Sequence, residues 1–314
     1  MLKKRWVYFN DAFIPWEEAT VHVASHSFAR GSAIFEVLSL HETRFEPMIF
    51  RLDEHVSRLF QSARFLEMKM PVTPESLQDR VKETVRKNGM KKGVIKIICC
   101  YPEIALDILP PSAPLTVIIF VVNPDEDLPE FKAAEKPEAS ACISRWRKLD
   151  PQTVPVEAKA SANYLNGMMA RMEAKKRGFD QAILLDTQGF VAEGGTESVF
   201  MVKNGVLMTP IGGTILQSIT RKSLLEVSSA KGIETREMRI LPQLFLEADE
   251  VFLSCTPLKV LPLMRIDDRS LPGASGPVVK TLVAMMQKII EGEDQAFEKW
   301  RFPVNGVYPI QGSI

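Results

Sequence analysis

The sequence predicts a mixed protein of strands and helices, α/β or α+β, built as two domains. Three observations carry that expectation. Strand-like and helix-like segments intermix through both halves of the chain, the pattern of sheets covered by helices. A stretch dense in proline and acid, residues 123–137, interrupts them. Finally, 314 residues are long for one hydrophobic core and comfortable for two.

Each element has its own signal. Trp6-Val7-Tyr8-Phe9 alternates as a first strand and turns at Asn10-Asp11. Ala33 to Leu40 reads as a second strand. From Arg51 to Met68, Leu52, His55, Val56, Leu59, Phe60, Ala63 and Leu66 recur at helical spacing, and Pro71 stops the run. Thr73 caps a helix from Pro74 to Asn88 that ends at Gly89. Gly93 to Tyr101 and Leu115 to Val122 are strands. Beyond the linker come a strand over Ser140 to Arg145 and a helix from Asn163 to Lys176. Strands follow at Gln181 to Asp186, Ser198 to Lys203 and Val206 to Thr209, the last two joined by the hairpin signal Asn204-Gly205. A helix from Ile219 to Lys231, a strand from Glu250 to Ser254 and a helix from Gly276 to Glu291 complete the pattern. The domains expected are 1–122, a linker at 123–137, and 138–291, with an extension at 292–314 whose role the sequence does not assign.

Composition narrows the function. Formal net charge is +0, from 39 basic and 39 acidic residues, so no global field favours nucleic acid or anionic lipid. A small-molecule partner is the default. The longest largely apolar run, Leu115 to Val122, falls far short of the roughly 20 residues of a spanning helix. The basic N-terminus runs into Asn10 and Asp11 without the apolar stretch of a signal peptide. Cys99, Cys100, Cys142 and Cys255 lack framework spacing, so free thiols in the cytoplasm are expected. His22, His26, His41 and His55 lack metal spacing, and no metal site is expected.

Three segments carry chemistry. Lys159 lies among Ala158, Ala160, Ser161 and Ala162, small residues that let a flat group approach an amine, with Tyr164 following. Glu193 precedes Gly194-Gly195 in what reads as an acidic glycine turn. Ser218-Ile219-Thr220 opens a helix, whose free backbone donors suit a phosphate. A lysine able to form a Schiff base, a carboxylate for a ring nitrogen and a phosphate-binding helix start together point to pyridoxal phosphate. Arg58, on the inward edge of the first long helix, is a candidate to complete the phosphate cradle.

Taken together, these segments resemble the class IV aminotransferases, the pyridoxal phosphate enzymes of fold type IV. The resemblance is nearest to the branched-chain aminotransferases. Glu54-His55-Val56-Ser57-Arg58-Leu59 is similar to the phosphate-arginine helix. Lys159 to Leu165 is similar to the branched-chain form of the lysine motif. Ile219-Thr220-Arg221 and Ser254-Cys255-Thr256-Pro257 are similar to the two phosphate segments. The resemblance implies a small N-terminal α/β domain, a larger barrel-like C-terminal domain and a homodimer. It implies a catalytic Lys159 and cofactor contacts from Arg58, Tyr164, Glu193, Ile219, Thr220 and Thr256. The implied reaction moves an amino group from a branched-chain L-amino acid to 2-oxoglutarate.

Departures touch the substrate rather than the reaction class. Val37 follows Phe35-Glu36, as in the D-amino-acid aminotransferases. Arg30 and Lys96 stand where branched-chain enzymes usually carry an aromatic and an arginine, and Pro257 has no amide hydrogen to offer a carboxylate. Arg30, Phe35, Lys96 and Pro257 are therefore the candidate substrate residues. A D-amino-acid aminotransferase and an aminodeoxychorismate lyase are the alternatives within the family.

Overall fold

Asn10 and Asp11 both adopt positive φ, 47° and 70°, the left-handed pair that a two-residue hairpin turn demands. They join Trp6–Phe9 (β1) to Ala12–Pro15 (β2). The structure is a computed structural model that describes residues 2–128 and 138–306. Part of the expected linker, 129–137, and the end of the expected extension, 307–314, lie outside the described residues.

The chain divides into two units. One gathers the N-terminal portion, Ala158–Ala162 and the C-terminal portion from Lys288. The other holds Asn163–Gln287 and the stretch leading to Glu157.

In the first unit a short helix, His26–Arg30 (α1), precedes Ile34–His41 (β3) and Met48–Phe50 (β4). Helices Leu52–Phe65 (α2) and Pro74–Lys87 (α3) follow, then Gly93–Cys100 (β5), Thr116–Val122 (β6) and a turn of helix at Pro124–Asp127 (α4). Thr73 caps α3 as its sequence predicts, accepting from the Ser76 amide at 3.2 Å. The sheet runs β4-β3-β5-β6-β1-β2 with antiparallel neighbours. Alternation along β3 turns Ile34, Glu36, Leu38 and Leu40 to one buried face. Ile95 and Ile97 of β5 and Val117, Ile119 and Val121 of β6 share the core with Leu52, Val56 and Leu59 of α2 and Leu77, Val81 and Val85 of α3. Glu36 is the one acid on that buried row of β3, opposite Ile97.

The C-terminal extension joins this sheet. Arg301–Pro303 pairs antiparallel with β4. The helix predicted from Arg51 starts one residue later because Arg51 takes a left-handed φ of 53°. Its amide donates to the Trp300 carbonyl at 2.7 Å, and its guanidinium lies 4.4 Å from the Trp300 ring.

The second unit begins with Ala139–Arg147 (β7) and Tyr164–Lys176 (α5), then Gln181–Leu185 (β8), Val191–Gly194 (β9), Ser198–Lys203 (β10) and Val206–Pro210 (β11). Helix Ile219–Ala230 (α6), strand Thr235–Met238 (β12) and helix Pro242–Leu246 (α7) follow. Strands Glu250–Ser254 (β13), Leu261–Ile266 (β14) and Arg269–Ser270 (β15) precede helix Pro277–Glu291 (α8). The order β10-β13-β14-β7-β8-β9 closes on itself, because Ser198 of β10 also pairs with Glu193 of β9. Six strands thus form a barrel, the architecture the family resemblance implies. Small residues let α5 lie close on it: Ala170 and Ala174 pack with Cys142, Ala182 and Leu184. Glu193 belongs to strand β9, not to a turn; the turn is the Gly195-Thr196-Glu197 stretch that follows.

Candidate active site

Lys159 lies outside every named strand, yet its backbone is fixed on both sides. Its amide donates to the Ser62 hydroxyl of α2 at 3.0 Å. Its carbonyl accepts from the Phe35 amide of β3 at 3.1 Å. The next residue, Ala160, bridges to Ile34, and the Ser161 amide donates to the Ala33 carbonyl at 2.8 Å. The residue is 9% exposed, and its Nζ stands 4.8 Å from the centre of the Phe35 ring. Lys96 places its own Nζ 5.1 Å from the same ring, and burial pulls that amine below the usual lysine range. Phe35, Lys96 and Lys159 therefore form one cluster around an aromatic face.

Arg58, in the same unit, is held by an acid the sequence reading did not single out. Glu36 accepts from its Nε and Nη2, each at 2.7 Å, and from His55 Nδ1 at 2.7 Å. Burial favours the neutral acid, but Arg58 and His55 outweigh it and hold the Glu36 carboxyl down at about 2.

The second unit carries the other candidates. The Glu193 carboxylate pairs with Lys148 Nζ at 2.5 Å and accepts from the Leu216 amide at 3.3 Å. Both side chains are nearly buried, at 12% and 8% exposure. Behind Glu193, helix α5 approaches so closely that a Cβ on Gly167 would overlap the Gly195 carbonyl oxygen. Only glycine permits that contact.

Helix α6 opens as its sequence predicts. The Ser218 hydroxyl accepts from the Arg221 amide at 3.2 Å, and the first helical turn leaves the Ile219 and Thr220 amides without intrahelical acceptors. Arg221 anchors this end, donating to Thr209 Oγ1 at 3.1 Å, the Pro210 carbonyl at 2.7 Å and Glu237 at 2.5 Å. Thr256 and Pro257 lie in the turn after β13. The preceding Ser254 is 1% exposed, and its hydroxyl has no partner among the described residues. Tyr164 is the first residue of α5 and is partly exposed. Arg30 ends α1, exposed, with its guanidinium donating to the Leu106 carbonyl at 3.2 Å.

This donor set fits pyridoxal phosphate. Taken unit by unit, the first offers a nearly buried amine, and the second an anchored carboxylate, helix-start amides and a buried hydroxyl. The family model described as amino-transferase class IV matches residues 33–266.

The chain is a class IV aminotransferase.

This aminotransferase is 30% identical over 305 residues to the branched-chain-amino-acid aminotransferase of Salmonella typhimurium, covering 96% of this chain and 98% of the relative. Among solved structures it matches the branched-chain aminotransferase of Thermoproteus uzoniensis with norvaline at a TM-score of 0.90 and 32% identity, covering 96% of this chain and 99% of that one. The branched-chain amino acid aminotransferase of Thermobaculum terrenum, solved in its PLP-form, matches at 0.88 and 29%, covering 97% and 99%. Pyridoxal phosphate is the cofactor of this family. These relatives do not favour the D-amino-acid or lyase alternatives.

The sequence reading of the aminotransferase missed Glu36, Ser62 and Lys148. Glu36 was legible in principle, since an acid on the apolar face of an alternating strand requires a buried partner. Ser62 and Lys148 reach their partners only through tertiary folding and left no local signal.

Proposed function

We propose that this enzyme is a branched-chain aminotransferase that moves the amino group of a branched-chain L-amino acid to 2-oxoglutarate. The observation that supports the reading most is the Lys159 amine, held nearly buried against Phe35 by backbone bonds on both sides. In this reading Lys159 carries the cofactor. Arg58, the Ile219 and Thr220 amides and Thr256 hold its phosphate, Tyr164 its ring hydroxyl and Glu193 its ring nitrogen. When bound, pyridoxal phosphate supplies an electron sink for the negative charge developing on the substrate carbon.

The chain's own groups do the rest. Lys159 Nζ would take the proton from the substrate carbon as base and give it up again as acid. The anchored Glu193 carboxylate would keep the ring nitrogen protonated. Phe35 gives Lys159 an apolar wall that keeps water from the transferred proton. Arg30 and Lys96 supply cations for substrate carboxylates, a role Pro257 cannot share through its backbone nitrogen.

A homodimer and a cytoplasmic location belong to the same proposal. The first unit has an apolar groove of about 450 Å³ lined by Val7, Trp16, Phe28, Ala33, Ile98 and Phe120, and Phe28 is 71% exposed. A second copy would cover such a surface, and sedimentation equilibrium measures it directly. The cysteines are free thiols, as a reducing compartment maintains.

A half-reaction screen tests the substrate assignment. The yellow protein is mixed with L- and D-amino acids in turn, then with 2-oxoglutarate. L-leucine, L-isoleucine and L-valine are expected to react fastest. Faster turnover of D-amino acids, or pyruvate release from aminodeoxychorismate without an amino acceptor, rejects it.

A further inference from the structure

Lys259 is a buried amine that the reaction above does not use. It lies just past β13 and is 6% exposed, and it takes a left-handed φ of 56°. Its backbone amide donates to the Cys255 carbonyl at 2.8 Å. Its side chain folds back, and Nζ donates to the Thr256 carbonyl at 2.6 Å. The Val260 amide adds a bond to the Leu258 carbonyl at 2.6 Å.

The bond to Thr256 has a particular consequence. The peptide between Thr256 and Pro257 has no N–H, because residue 257 is proline. Its carbonyl is its only hydrogen-bonding group, so a donor on that oxygen is what orients the peptide plane through a backbone contact. The orientation of that plane fixes ψ of Thr256 and, with it, the relation of this residue to the rest of the turn.

Burial of an ammonium is costly, so a lysine here requires a return. Burial brings the Lys259 amine down to about 7. The Cys255 thiol beside it is itself pushed up to about 11 by burial, so it stays protonated near neutral pH and gives the amine no counter-charge. A surface turn would avoid this cost with any polar residue.

We propose that Lys259 is a positioning residue for the cofactor's phosphate: its Nζ donor fixes the Thr256–Pro257 peptide and thereby holds Thr256 in its phosphate-binding pose. The inference rests on the reading that Thr256 contacts the phosphate.

The test compares pyridoxal phosphate with pyridoxal, which lacks the phosphate. Dissociation constants for both are measured on the apoprotein by the visible absorbance of the bound cofactor, in wild type, Thr256→Ala and Lys259→Met. Lys259→Gln, which keeps an N–H donor, is measured alongside and decides the matter if the methionine variant does not fold. Both Thr256→Ala and Lys259→Met are expected to weaken pyridoxal phosphate about tenfold and leave pyridoxal unchanged, with Lys259→Gln in between. An unchanged constant for pyridoxal phosphate in Thr256→Ala overturns the phosphate reading and the proposal with it. A loss in Thr256→Ala with none in Lys259→Met, or an equal loss of both ligands in Lys259→Met, overturns the proposal alone. If only the glutamine variant folds, wild-type affinity for pyridoxal phosphate with pyridoxal also unchanged counts against it.

Discussion

Glu36 grips Arg58 along one edge of the guanidinium, taking Nε and Nη2 at 2.7 Å each. The carboxylate is wholly buried and also accepts from His55 at 2.7 Å. Bidentate geometry is the strongest arrangement open to this pair. It determines how the guanidinium is turned, and hence what else Arg58 faces. The strand β3 thus links two candidate groups: Phe35 carries the Lys159 contact, and Glu36 the Arg58 contact.

Removing the carboxylate charge should be severe. Glu36→Gln leaves the buried Arg58 guanidinium without its anion, and such losses run at about 3–5 kcal/mol. Urea denaturation at neutral pH measures it. The wild type carries a matching pH signature. Its Glu36 carboxyl is depressed in the folded state, to about 2. The stabilisation is therefore present above the ordinary carboxylate range and is lost as pH falls from there toward 2. Glu36→Gln should lack that part of the acid dependence.

Lys159→Ala should lower turnover at least about 1,000-fold, because in the proposed reaction one group supplies both covalent attachment and proton transfer. The protein should fold normally, since the anchors at Ser62 and Phe35 use backbone atoms of residue 159. Steady-state kinetics and circular dichroism together check this. Retained turnover would remove Lys159 from the reaction.

Lys148→Met isolates the ion pair with Glu193. It leaves a nearly buried carboxylate with the Leu216 amide as its remaining named donor, at a cost of about 1–3 kcal/mol. If Glu193 is the ring-nitrogen partner proposed above, kcat is expected to fall more than KM rises. Stability equal to wild type by thermal melting, with unchanged kcat, would show that the pair holds nothing in place.

Gly167→Ala probes the contact between α5 and the turn after Glu193. The added methyl would run into the Gly195 carbonyl, with backbone on both sides of the clash. Overpacking of this kind costs at least about 2 kcal/mol. Thermal unfolding should register the loss, and pyridoxal phosphate affinity should fall with it.

Much of this molecule is written locally. Alternation in β1, the apolar runs of β3, β5 and β6, the Thr73 and Ser218 caps, the Asn204-Gly205 turn and the helical spacing of α2 depend on neighbours a few residues away, and these elements form within a few residues of their predicted bounds. The Lys159, Glu193 and α6-start segments stand out in the sequence through their small residues, glycines and cap, although Glu193 lies in a strand rather than the turn expected. The short strands β2, β4, β9, β12 and β15 were not, because so few residues carry no periodic signal of their own and gain stability only from their partners.

By itself, the sequence determined the mixed fold class, the family and the amine at position 159. Tertiary structure decided which charges meet: Glu36 with Arg58 across 22 positions, Lys148 with Glu193 across 45, and the closure of the barrel through Ser198 and Glu193. Local propensity acts over a few residues, whereas the desolvation that makes a buried charge choose its partner exists only once the core has formed.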